Sequence, residues 1–400
     1  MKYALFTAMI AAAPVLAQSN DPVAQSAPNV PEFTPAFPEQ TRAPESLSGI
    51  ELQTTEVAGG LSHPWGIAVL PGGGYLVTER SGQLRVIDAD GNLVAEPVSG
   101  LPDLLAEQQG GLLDVELAPD FAQTRHIYFT YSKPHPDGGS STAAARATLS
   151  DDLTALSDVV DIFVQSPPSP NPMHYGSRVV PNGDEIYVTT GEHFVPQERV
   201  FAQDLDKTYG KIVRVTADGD AVEGNPFTGQ DDALPEIFSY GHRNIQGAAI
   251  RPDTGELWAI EHGPAGGDEL NRIAPGENYG WPVVSYGENY DETPVGTGGA
   301  DHAAEGFTEP RYYWDPVIAP GGMVFYQGDV FADWQGDVLI GSLNPGALVR
   351  LEMDGDTVVG EERLLTDVGR VRDVAVDADG SLLVLIDADD GAVLRVTPAN

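Results

Sequence analysis

The chain has 400 residues, 41% of them hydrophobic, and its 60 acidic residues against 21 basic ones give a formal net charge of −39. Such a surface repels phosphate backbones and anionic lipids, which argues strongly against nucleic acid or an anionic membrane as a partner. The 45 glycines and 32 prolines favour many turns over many helices, so the composition favours an all-β fold. The chain has no cysteine, so disulfides do not stabilise it.

The N-terminal part of the chain differs in composition from the rest. Residues 1–17, MKYALFTAMIAAAPVLA, combine a basic start with a short apolar stretch and small residues before a cleavage point. This pattern predicts a cleaved signal peptide and a periplasmic or secreted protein, with a buried N-terminal helix as the alternative. Residues 18–47 are rich in Pro, Ser, Gln and Ala without periodicity, and we expect a disordered leader. No later apolar run has the roughly 20 residues of a membrane helix, so we expect no integral membrane segment.

One module recurs through the remaining chain: an alternating apolar run, a turn of the Pro/Asp-x-Gly type, and a second alternating run. Several copies are followed by a third strand-like run, such as GKIVRVTADG. Each copy therefore resembles a small antiparallel meander. The copies occupy residues 67–80, 115–132, 177–192, 248–263, 323–342 and 374–387.

Six such units predict radial repetition about a central axis. We therefore predict an all-β fold for residues 48–400, a six-bladed β-propeller of four-stranded antiparallel blades. A β-sandwich or two unrelated β domains would not explain the recurrence. In a propeller the loops beside the innermost strands converge on one axial mouth, where residues far apart in sequence meet.

Several motifs together resemble one known family. They are WGIAVLPGGGYLVTERSGQLRVID, QGGLLDVELAPDF, YGHRNIQG, HGPAGGDELNRIAPGENYGWP and GRVRDVAVDADGSLLVLID. These resemble the soluble pyrroloquinoline quinone (PQQ)-dependent sugar dehydrogenases, the glucose/sorbosone or aldose sugar dehydrogenase family, over about residues 55–397. The resemblance implies a six-bladed propeller, PQQ over the axial mouth, Ca²⁺, and oxidation of an aldose to a lactone. The electrons would pass to an acceptor that the sequence does not identify.

Scarce arginines are candidate ligands for a cofactor with three carboxylates. Arg370 and Arg372 are two residues apart and face the same side of a predicted strand, and Arg243 lies in GHRN. Taken singly, each would more often form a surface ion pair with one of the many acids. The resemblance also implies that Arg243 lies beside the reactive quinone carbonyl, and that Asn244 and Gln109 donate neutral hydrogen bonds to the cofactor.

His174, in MHYGSRVV, is the candidate general base, because imidazole titrates close to working pH and the residue precedes a blade strand. Taken alone, a histidine is more often structural or merely exposed. The resemblance implies that His174 removes the hydroxyl proton while hydride passes from the sugar carbon to the quinone. Glu192, in TTGEHF, stands where family members usually carry an aspartate that orients this base.

Residues 241–281 are rich in Gly, Pro and acids, which suits Ca²⁺, an ion that binds many hard oxygens, including backbone carbonyls. The resemblance implies that the carbonyls of Gly263 and Pro264 hold a cofactor-bound Ca²⁺. It places Glu269 and the carbonyl of Tyr279 at a second, structural Ca²⁺ site. The alternative is a Gly/Pro-rich loop with solvated acids.

Three further positions affect the expected site. Trp314 either stacks at the mouth as a cofactor contact or packs within a blade, and the sequence favours neither. His262 replaces a glutamine that is frequent in the family. Asn344 stands near the point where well-studied relatives have a lysine that reaches the cofactor.

Two other function classes stay open. A Ca²⁺-dependent lactonase of the six-bladed type would activate water with its metal and need no quinone. A non-catalytic propeller would bind a ligand or partner at its mouth, because a fold alone does not determine function. The sugar and the oligomeric state do not follow from the sequence.

Overall fold

The repeated hairpins form the inner halves of six antiparallel sheets in the computed structural model, which describes residues 21–399. The first strand, β1 (Leu52–Leu61), belongs to the last sheet. Blades 1 to 3 contain β2 (Pro64–Val69), β3 (Tyr75–Glu79) and β4 (Gln83–Ile87); β5 (Leu112–Leu117), β6 (His126–Pro134), β7 (Ser140–Leu149) and β8 (Leu156–Val164); and β9 (Gly176–Asn182), β10 (Glu185–Thr190), β11 (Lys211–Thr216) and β12 (Ile237–Tyr240).

The remaining strands build blades 4 to 6. Those in and beside blade 4 are β13 (Ile245–Ile250), β14 (Leu257–Glu261), β15 (Ala265–Gly266), β16 (Asp268–Arg272), β17 (Gly287–Glu288) and β18 (Tyr312–Trp314). Of these, β15 and β17 pair with each other as a separate ribbon. Blade 5 has β19 (Pro320–Phe325), β20 (Val338–Ser342), β21 (Ala347–Asp354) and β22 (Thr357–Leu364), and blade 6 has β23 (Val371–Val376), β24 (Leu382–Ile386), β25 (Gly391–Pro398) and β1.

The innermost strands of the six blades close into a ring. In chain order β2 packs against β5, β5 against β9, β9 against β13, β13 against β19 and β19 against β23, and β23 returns to β2. The two ends of the propeller are joined because β1 pairs antiparallel with β25, with Leu52 opposite Pro398. The predicted six-bladed β-propeller is therefore confirmed.

Blade 1 departs from the prediction of four strands in every blade. Its sheet has three strands, and beyond β4 only single bridges continue the pairing, from Leu84 to Val98 and from Ile87 to Leu93. Pro97 lies between these bridged positions and has no N–H for a ladder. The segment after β4 therefore follows the sheet edge without forming a continuous strand.

Apolar side chains fill the space between adjacent blades. Between blades 1 and 2, Leu76 and Leu84 pack in one buried cluster with Val115 and Phe129. Successive strand residues point to opposite faces of a sheet, and both faces of a blade meet a neighbouring blade. The alternation seen in the sequence therefore produces a continuous core that holds the inner strands rigidly.

The helices of residues 21–399 are short and lie in loops. The α-helices are α1 (Phe121–Thr124) and α2 (Pro196–Arg199), and the 3₁₀ helices are Pro38–Gln40, Val200–Gln203, Ala303–Glu305 and Ala332–Trp334. None of the helices in the described part of the chain has the length and apolarity that a membrane span requires. The expected signal peptide, residues 1–17, lies outside the described residues.

A disordered leader is expected for residues 18–47, but the described part of this segment, residues 21–47, is packed on blade 4. Asp315 follows β18 and accepts hydrogen bonds from the backbone N–H groups of Asn29 at 2.8 Å and Val30 at 2.9 Å. Gln40 is fully buried, and its amide donates to a backbone carbonyl at 3.0 Å. Such a strap binds through polar groups to a surface that already exists. It therefore needs no hydrophobic period of its own, and composition alone suggested disorder.

Candidate active site

Predicted site residues lie just before four of the six inner strands. Gln109 precedes β5, His174 precedes β9, Arg243 precedes β13 and Arg370 precedes β23. These loops meet in space, because the N–H of His174 donates to Oε1 of Gln109 at 2.9 Å across 65 residues of sequence. The ring of inner strands therefore gathers the predicted residues at one axial mouth.

A cavity of about 140 Å³ lies at this mouth. It is lined by the predicted residues Gln109, Asn244, Arg370 and Arg372, together with Trp65, Arg80, Tyr175, Gln246 and others. We call it the arginine cavity, after Arg80, Arg370 and Arg372. Three guanidinium groups around one cavity suit an anionic ligand, especially in a protein of net charge −39.

His174 and Glu192 form a buried hydrogen-bonded pair beside the arginine cavity. Nδ1 of His174 lies 2.9 Å from Oε1 of Glu192, and the two residues are 4% and 1% exposed. The other carboxylate oxygen of Glu192 accepts the backbone N–H of Phe194 at 2.7 Å. Glu192 can therefore orient the imidazole as the aspartate of other family members is expected to do.

Burial changes the protonation of both partners. Desolvation raises the pKa of Glu192 to about 7 despite the opposing charge of Arg243. Desolvation, and secondly the charge of Arg243, lower the pKa of His174 well below its ordinary range. The imidazole is therefore neutral at neutral pH. When Glu192 is ionised, Nδ1 must carry the hydrogen and Nε2 is left with a free lone pair.

The backbone around this pair is strained. His174, His193 and Phe194 have left-handed φ angles of 47°, 61° and 74°. Gly191 is required in the same place, because a Cβ there would lie 1.8 Å from the carbonyl oxygen of His174. Bulky residues rarely adopt this conformation, and such strain concentrates at functional sites.

Arg243 is held in a fixed orientation next to the base. Its Nη1 donates to the carbonyls of His262 at 3.0 Å and Gly263 at 2.8 Å, and its guanidinium lies 5.2 Å from the ring centroid of Trp281. Its backbone N–H donates to Oε2 of Glu261 at 2.6 Å. The buried Nε of Arg243 has no hydrogen-bond partner in the described chain, so one strong donor is free.

Arg370 and Arg372 share a single carboxylate. Asp387 accepts from Nη2 of Arg370 at 3.0 Å and lies 3.6 Å from Nη2 of Arg372. Burial lowers the pKa of Arg372 to about 10, while the two arginines contribute to a pKa of about 2 for Asp387. One carboxylate between two guanidinium groups leaves a net positive charge at the cavity.

The loop with Gly263 and Pro264 is folded tightly. Asp268 accepts the N–H of Gly263 at 2.8 Å and, with its other oxygen, the N–H groups of Ile318 at 2.7 Å and Ala319 at 2.8 Å. Burial raises the pKa of Asp268 to about 7. Asp268 thus joins this loop to blade 5, and its two oxygens are already used as acceptors.

Glu269 and Tyr279 line a second, very small cavity of about 10 Å³, together with Glu261. Desolvation, and secondly the charge of Glu261, raise the pKa of Glu269 well above its ordinary value. Asn271 donates to Glu269 at 3.4 Å, and its own buried Oδ1 has no partner in the described chain. This excess of buried acceptor oxygens is the environment that a cation would stabilise.

An outer cavity of about 360 Å³ opens next to the base and is lined by Glu192, Phe194, Arg243, Pro264 and Tyr290 among others. Tyr290 is 65% exposed and Phe194 38% exposed, with their ring centroids 6.3 Å apart. The Phe194 ring also meets the His174 ring edge-on at 5.1 Å. An exposed aromatic pair beside polar groups is typical of a ligand site.

Trp314 does not lie at the mouth, which corrects its proposed cofactor contact. It lies on β18, the outer strand of blade 4, and is 2% exposed within the core between blades 4 and 5. Its Nε1 donates to Oε2 of Glu361 at 3.3 Å. The blade-packing alternative therefore holds, because the residue belongs to the fourth strand and not to a loop beside the first.

His262 and Asn344, the two residues that differ from the family's usual glutamine and lysine, lie at different depths. His262 lines the arginine cavity, and its Nε2 is 2.7 Å from the carbonyl oxygen of Pro320. Burial lowers its pKa to about 3, so it is neutral. Asn344 is exposed directly after Leu343, a residue that lines the cavity. Neither side chain adds positive charge.

The family model for glucose/sorbosone dehydrogenases matches residues 61–395. The chain belongs to this family. It is 43% identical to the aldose sugar dehydrogenase YliI of Escherichia coli K12 over 343 residues, which cover 85% of this chain and 91% of the relative. It is 26% identical to quinoprotein glucose dehydrogenase B of Acinetobacter calcoaceticus over 419 residues, covering 83% and 86% of the two chains.

Solved structures agree with this family. The apo-form crystal structure of the soluble aldose sugar dehydrogenase from Escherichia coli matches with a TM-score of 0.83 and 41% identity, covering 87% of this chain and 100% of the other. The PQQ-bound form of an aldose sugar dehydrogenase from Streptomyces coelicolor matches with a TM-score of 0.69 and 28% identity, covering 87% and 99%. The propeller is therefore shared along nearly its whole length.

Several residues that line the axial mouth were not predicted from the sequence. Tyr175 follows the predicted residue His174, and Gln246 is two residues after the predicted Asn244. Trp65 is the first residue of one of the family motifs. All three lie in or next to inner strands, and that position could have identified them. Arg80 was harder to recognise because it follows β3, the second strand of its blade. Tyr290 lies within blade 4, in the long segment between β16 and β18, which carries no repeat signal.

Proposed function

We propose that the protein oxidises an aldose at its anomeric carbon to the lactone, with PQQ bound at the arginine cavity as electron acceptor. The observation that carries the proposal is His174, a buried neutral imidazole oriented by Glu192 beside a cavity lined by Arg370 and Arg372. The relatives named as an aldose sugar dehydrogenase, as a quinoprotein glucose dehydrogenase and as a PQQ-bound enzyme support the same reaction.

The residues at the mouth fit a tricarboxylate quinone. Arg370 and Arg372 provide guanidinium groups, Gln109 and Asn244 provide amides, and the buried Nε of Arg243 is a donor without a partner in the described chain. Guanidinium groups bind carboxylates with charge-assisted and often paired hydrogen bonds. When bound, PQQ would accept the two electrons and the hydrogen that leave the anomeric carbon.

His174 would accept the proton of the anomeric hydroxyl. With Nδ1 donating to the ionised Glu192, the lone pair of Nε2 is available to the sugar. As His174 takes up the proton it becomes an imidazolium, and the carboxylate at 2.9 Å stabilises that charge. The low dielectric of the buried site strengthens this interaction relative to water.

Arg243 would stabilise negative charge that develops during oxidation. It lines the outer cavity while its neighbour Asn244 lines the arginine cavity, so its charge lies between the two. Guanidinium remains charged in proteins, and the two carbonyls that it contacts hold it in place before the reaction starts. A preoriented charge of this kind costs no reorganisation during the reaction.

The sugar would bind in the outer cavity against Tyr290 and Phe194. Pyranose rings carry C–H groups that pack on aromatic faces, and Asn289, Asp291 and Arg199 also line this cavity as hydrogen-bonding groups. Asn289 is fixed because Arg199 donates to its Oδ1 at 2.9 Å. The anomeric carbon would thereby lie near the base.

Two Ca²⁺ sites belong to the proposal. The carbonyls of Gly263 and Pro264 would hold an ion with the cofactor, and Gly263 already presents its carbonyl to the guanidinium of Arg243. Glu269 and Tyr279 would hold a structural ion in the small cavity. Within residues 21–399 no group of three or more His, Cys, Asp or Glu side chains is arranged to bind a metal. Both sites therefore depend on backbone oxygens.

We also propose that the enzyme acts after export, in the periplasm or outside the cell, on the basis of the pattern in residues 1–17. The absence of cysteine and the strongly acidic surface are compatible with that compartment.

Reconstitution tests the function. Purified protein is incubated with PQQ and Ca²⁺, and reduction of a redox dye is followed with a panel of aldoses. We expect sugar-dependent dye reduction that requires both additions, and His174→Gln should lose turnover while still binding PQQ in an absorbance titration. A protein that binds PQQ but oxidises no aldose would overturn the proposal. Lactone hydrolysis without PQQ that survives Arg370→Ala would establish the lactonase alternative.

A further inference from the structure

Arg80 differs from the other arginines because its guanidinium has no partner among residues 21–399. Sixteen other arginines lie in the described part of the chain, and the guanidinium of each forms a hydrogen bond or an ion pair. The guanidinium of Arg80 forms neither with any described residue. With 60 acids available against 21 bases, an unpaired guanidinium is unexpected.

The position of Arg80 explains why its guanidinium has no ion-pair partner among the described residues. It lines the arginine cavity together with Arg370 and Arg372, and its charge contributes to the lowered pKa of Arg372. The adjacent acid in sequence, Glu79, is used elsewhere, since it accepts the N–H of Ser62 at 2.7 Å and lies 3.5 Å from Arg85. Three cations thus share the cavity, and one of them, Arg80, has no counter-ion within the described part of the chain.

The backbone and Cγ of Arg80 are held in place, although its guanidinium has no partner among the described residues. Its backbone N–H donates to the carbonyl of His63 at 3.1 Å. Gly111 packs against it so closely that a Cβ on Gly111 would lie 1.8 Å from the carbonyl oxygen of Arg80 and 2.8 Å from its Cγ. The residue is half-buried. A guanidinium at a cavity rim whose backbone and Cγ are already held in place is preorganised to bind an anion.

Arg178, on the inner strand β9, provides a contrast. It lines a separate cavity of about 390 Å³ along the inner strands, and its guanidinium binds Asp114 at 2.9 Å and Asp373 at 3.0 Å. A structural arginine in this fold is therefore neutralised by carboxylates of neighbouring blades. No described residue offers Arg80 such a carboxylate, so a role in joining blades does not account for it.

We propose that Arg80 binds a carboxylate of the tricarboxylate quinone, as a third guanidinium beside Arg370 and Arg372. The proposal rests on the proposed function, since it requires that the quinone occupies the arginine cavity. Arg80 then supplies the cation on blade 1, on the other side of blade 6 from Asn344, so no lysine is required at that position. Arg80 would contribute to cofactor affinity without touching the sugar.

A binding titration tests this assignment directly. PQQ is titrated into the cofactor-free protein with Ca²⁺ present, and the dissociation constant is measured by absorbance and by calorimetry. A hydrogen bond between charged groups predicts that Arg80→Gln weakens binding about 10- to 100-fold, and that Arg80→Lys, which keeps the charge, weakens it less. The matched control is Arg146→Gln on blade 2, which removes an exposed pair with Asp218 and should leave the constant unchanged.

The outcomes separate the two proposals. If the wild type binds PQQ and Arg80→Gln binds it equally well, the role of Arg80 is wrong while the proposed function stands. If the wild type itself fails to bind PQQ, the proposed function falls and this inference falls with it. Thermal unfolding of each variant is measured alongside. Should Arg80→Gln be unfolded, Arg80→Lys decides. An affinity of Arg80→Lys equal to that of the wild type at both low and high salt would contradict the proposed contact between the Arg80 guanidinium and the carboxylate.

Discussion

Glu192→Gln removes the negative charge that faces Nδ1 of His174 at 2.9 Å while keeping the size of the side chain. A hydrogen bond to an ionised partner contributes roughly 1.5–3 kcal/mol. His174 becomes charged only as it takes the proton, so this contribution is lost mainly in the transition state. Since each ~1.4 kcal/mol changes a rate tenfold, we expect kcat/KM for the sugar to fall roughly 10- to 150-fold.

The same substitution should change the pH profile. Burial raises the pKa of Glu192 to about 7, so in the wild type the carboxylate that orients the base is lost as the pH falls through about 7. The pKa of His174 lies well below its ordinary range, so its own protonation follows only at lower pH. We expect the wild-type kcat/KM to decline below pH ~7, and the decline near 7 to be absent in Glu192→Gln.

Stability provides a readout that needs no turnover. The folded-state pKa of Glu192 is raised from 4.5 to about 7, so the protonated form is favoured in the folded protein. This contribution to stability is complete below pH 4.5 and is lost as the pH rises through about 7. Glutamine does not titrate. The unfolding free energy of the variant relative to the wild type should therefore rise across this range, by on the order of 3 kcal/mol.

Two controls accompany these measurements. Glu192→Asp keeps the charge and should lose less activity than Glu192→Gln. Glu198→Gln removes a carboxylate from the same loop, one that accepts a hydrogen bond from Ser169 at 2.6 Å, and should leave the sugar kinetics near those of the wild type. If Glu192→Gln keeps kcat/KM within about twofold of the wild type and still shows the decline near pH 7, Glu192 does not orient the base.

Arg370→Gln should raise the dissociation constant of PQQ about 10- to 100-fold in an absorbance titration, because a charge-assisted contact is lost; an unchanged constant would place the cofactor elsewhere. Tyr290→Ala should raise KM for the sugar about tenfold at nearly constant kcat, while Tyr290→Phe, which keeps the ring, should resemble the wild type. Equal KM values in all three proteins would exclude stacking. Chelation of Ca²⁺ should lower Tm in the wild type but not in Glu269→Gln, and a wild-type Tm that ignores the chelator would contradict an ion at Glu269.

The blades could be predicted from the sequence because the signal for them is local. Alternation within five or six residues and the turns between two runs identify each inner hairpin, and six copies imply the ring. The resemblance then singled out His174, Glu192, Arg243, Arg370 and Arg372, and all five lie at the mouth in the structure. For His174, Arg243 and Arg370 the position just before an inner strand was a further signal, since the inner strands begin at that end.

Tertiary structure decided what depends on contacts between distant segments. Packing against blade 5 buries Trp314 in the core. Hydrogen bonds to Asp315, 286 residues away, hold the segment around Asn29 on blade 4. The 2.9 Å contact between His174 and Glu192 likewise forms only when the blades close. That the Arg80 guanidinium has no partner among the described residues could also be seen only in the closed ring. The physical reason is that periodicity reports how a strand faces its own sheet, whereas charge pairing, burial and pKa depend on which side chains the closed ring brings within a few ångströms of each other.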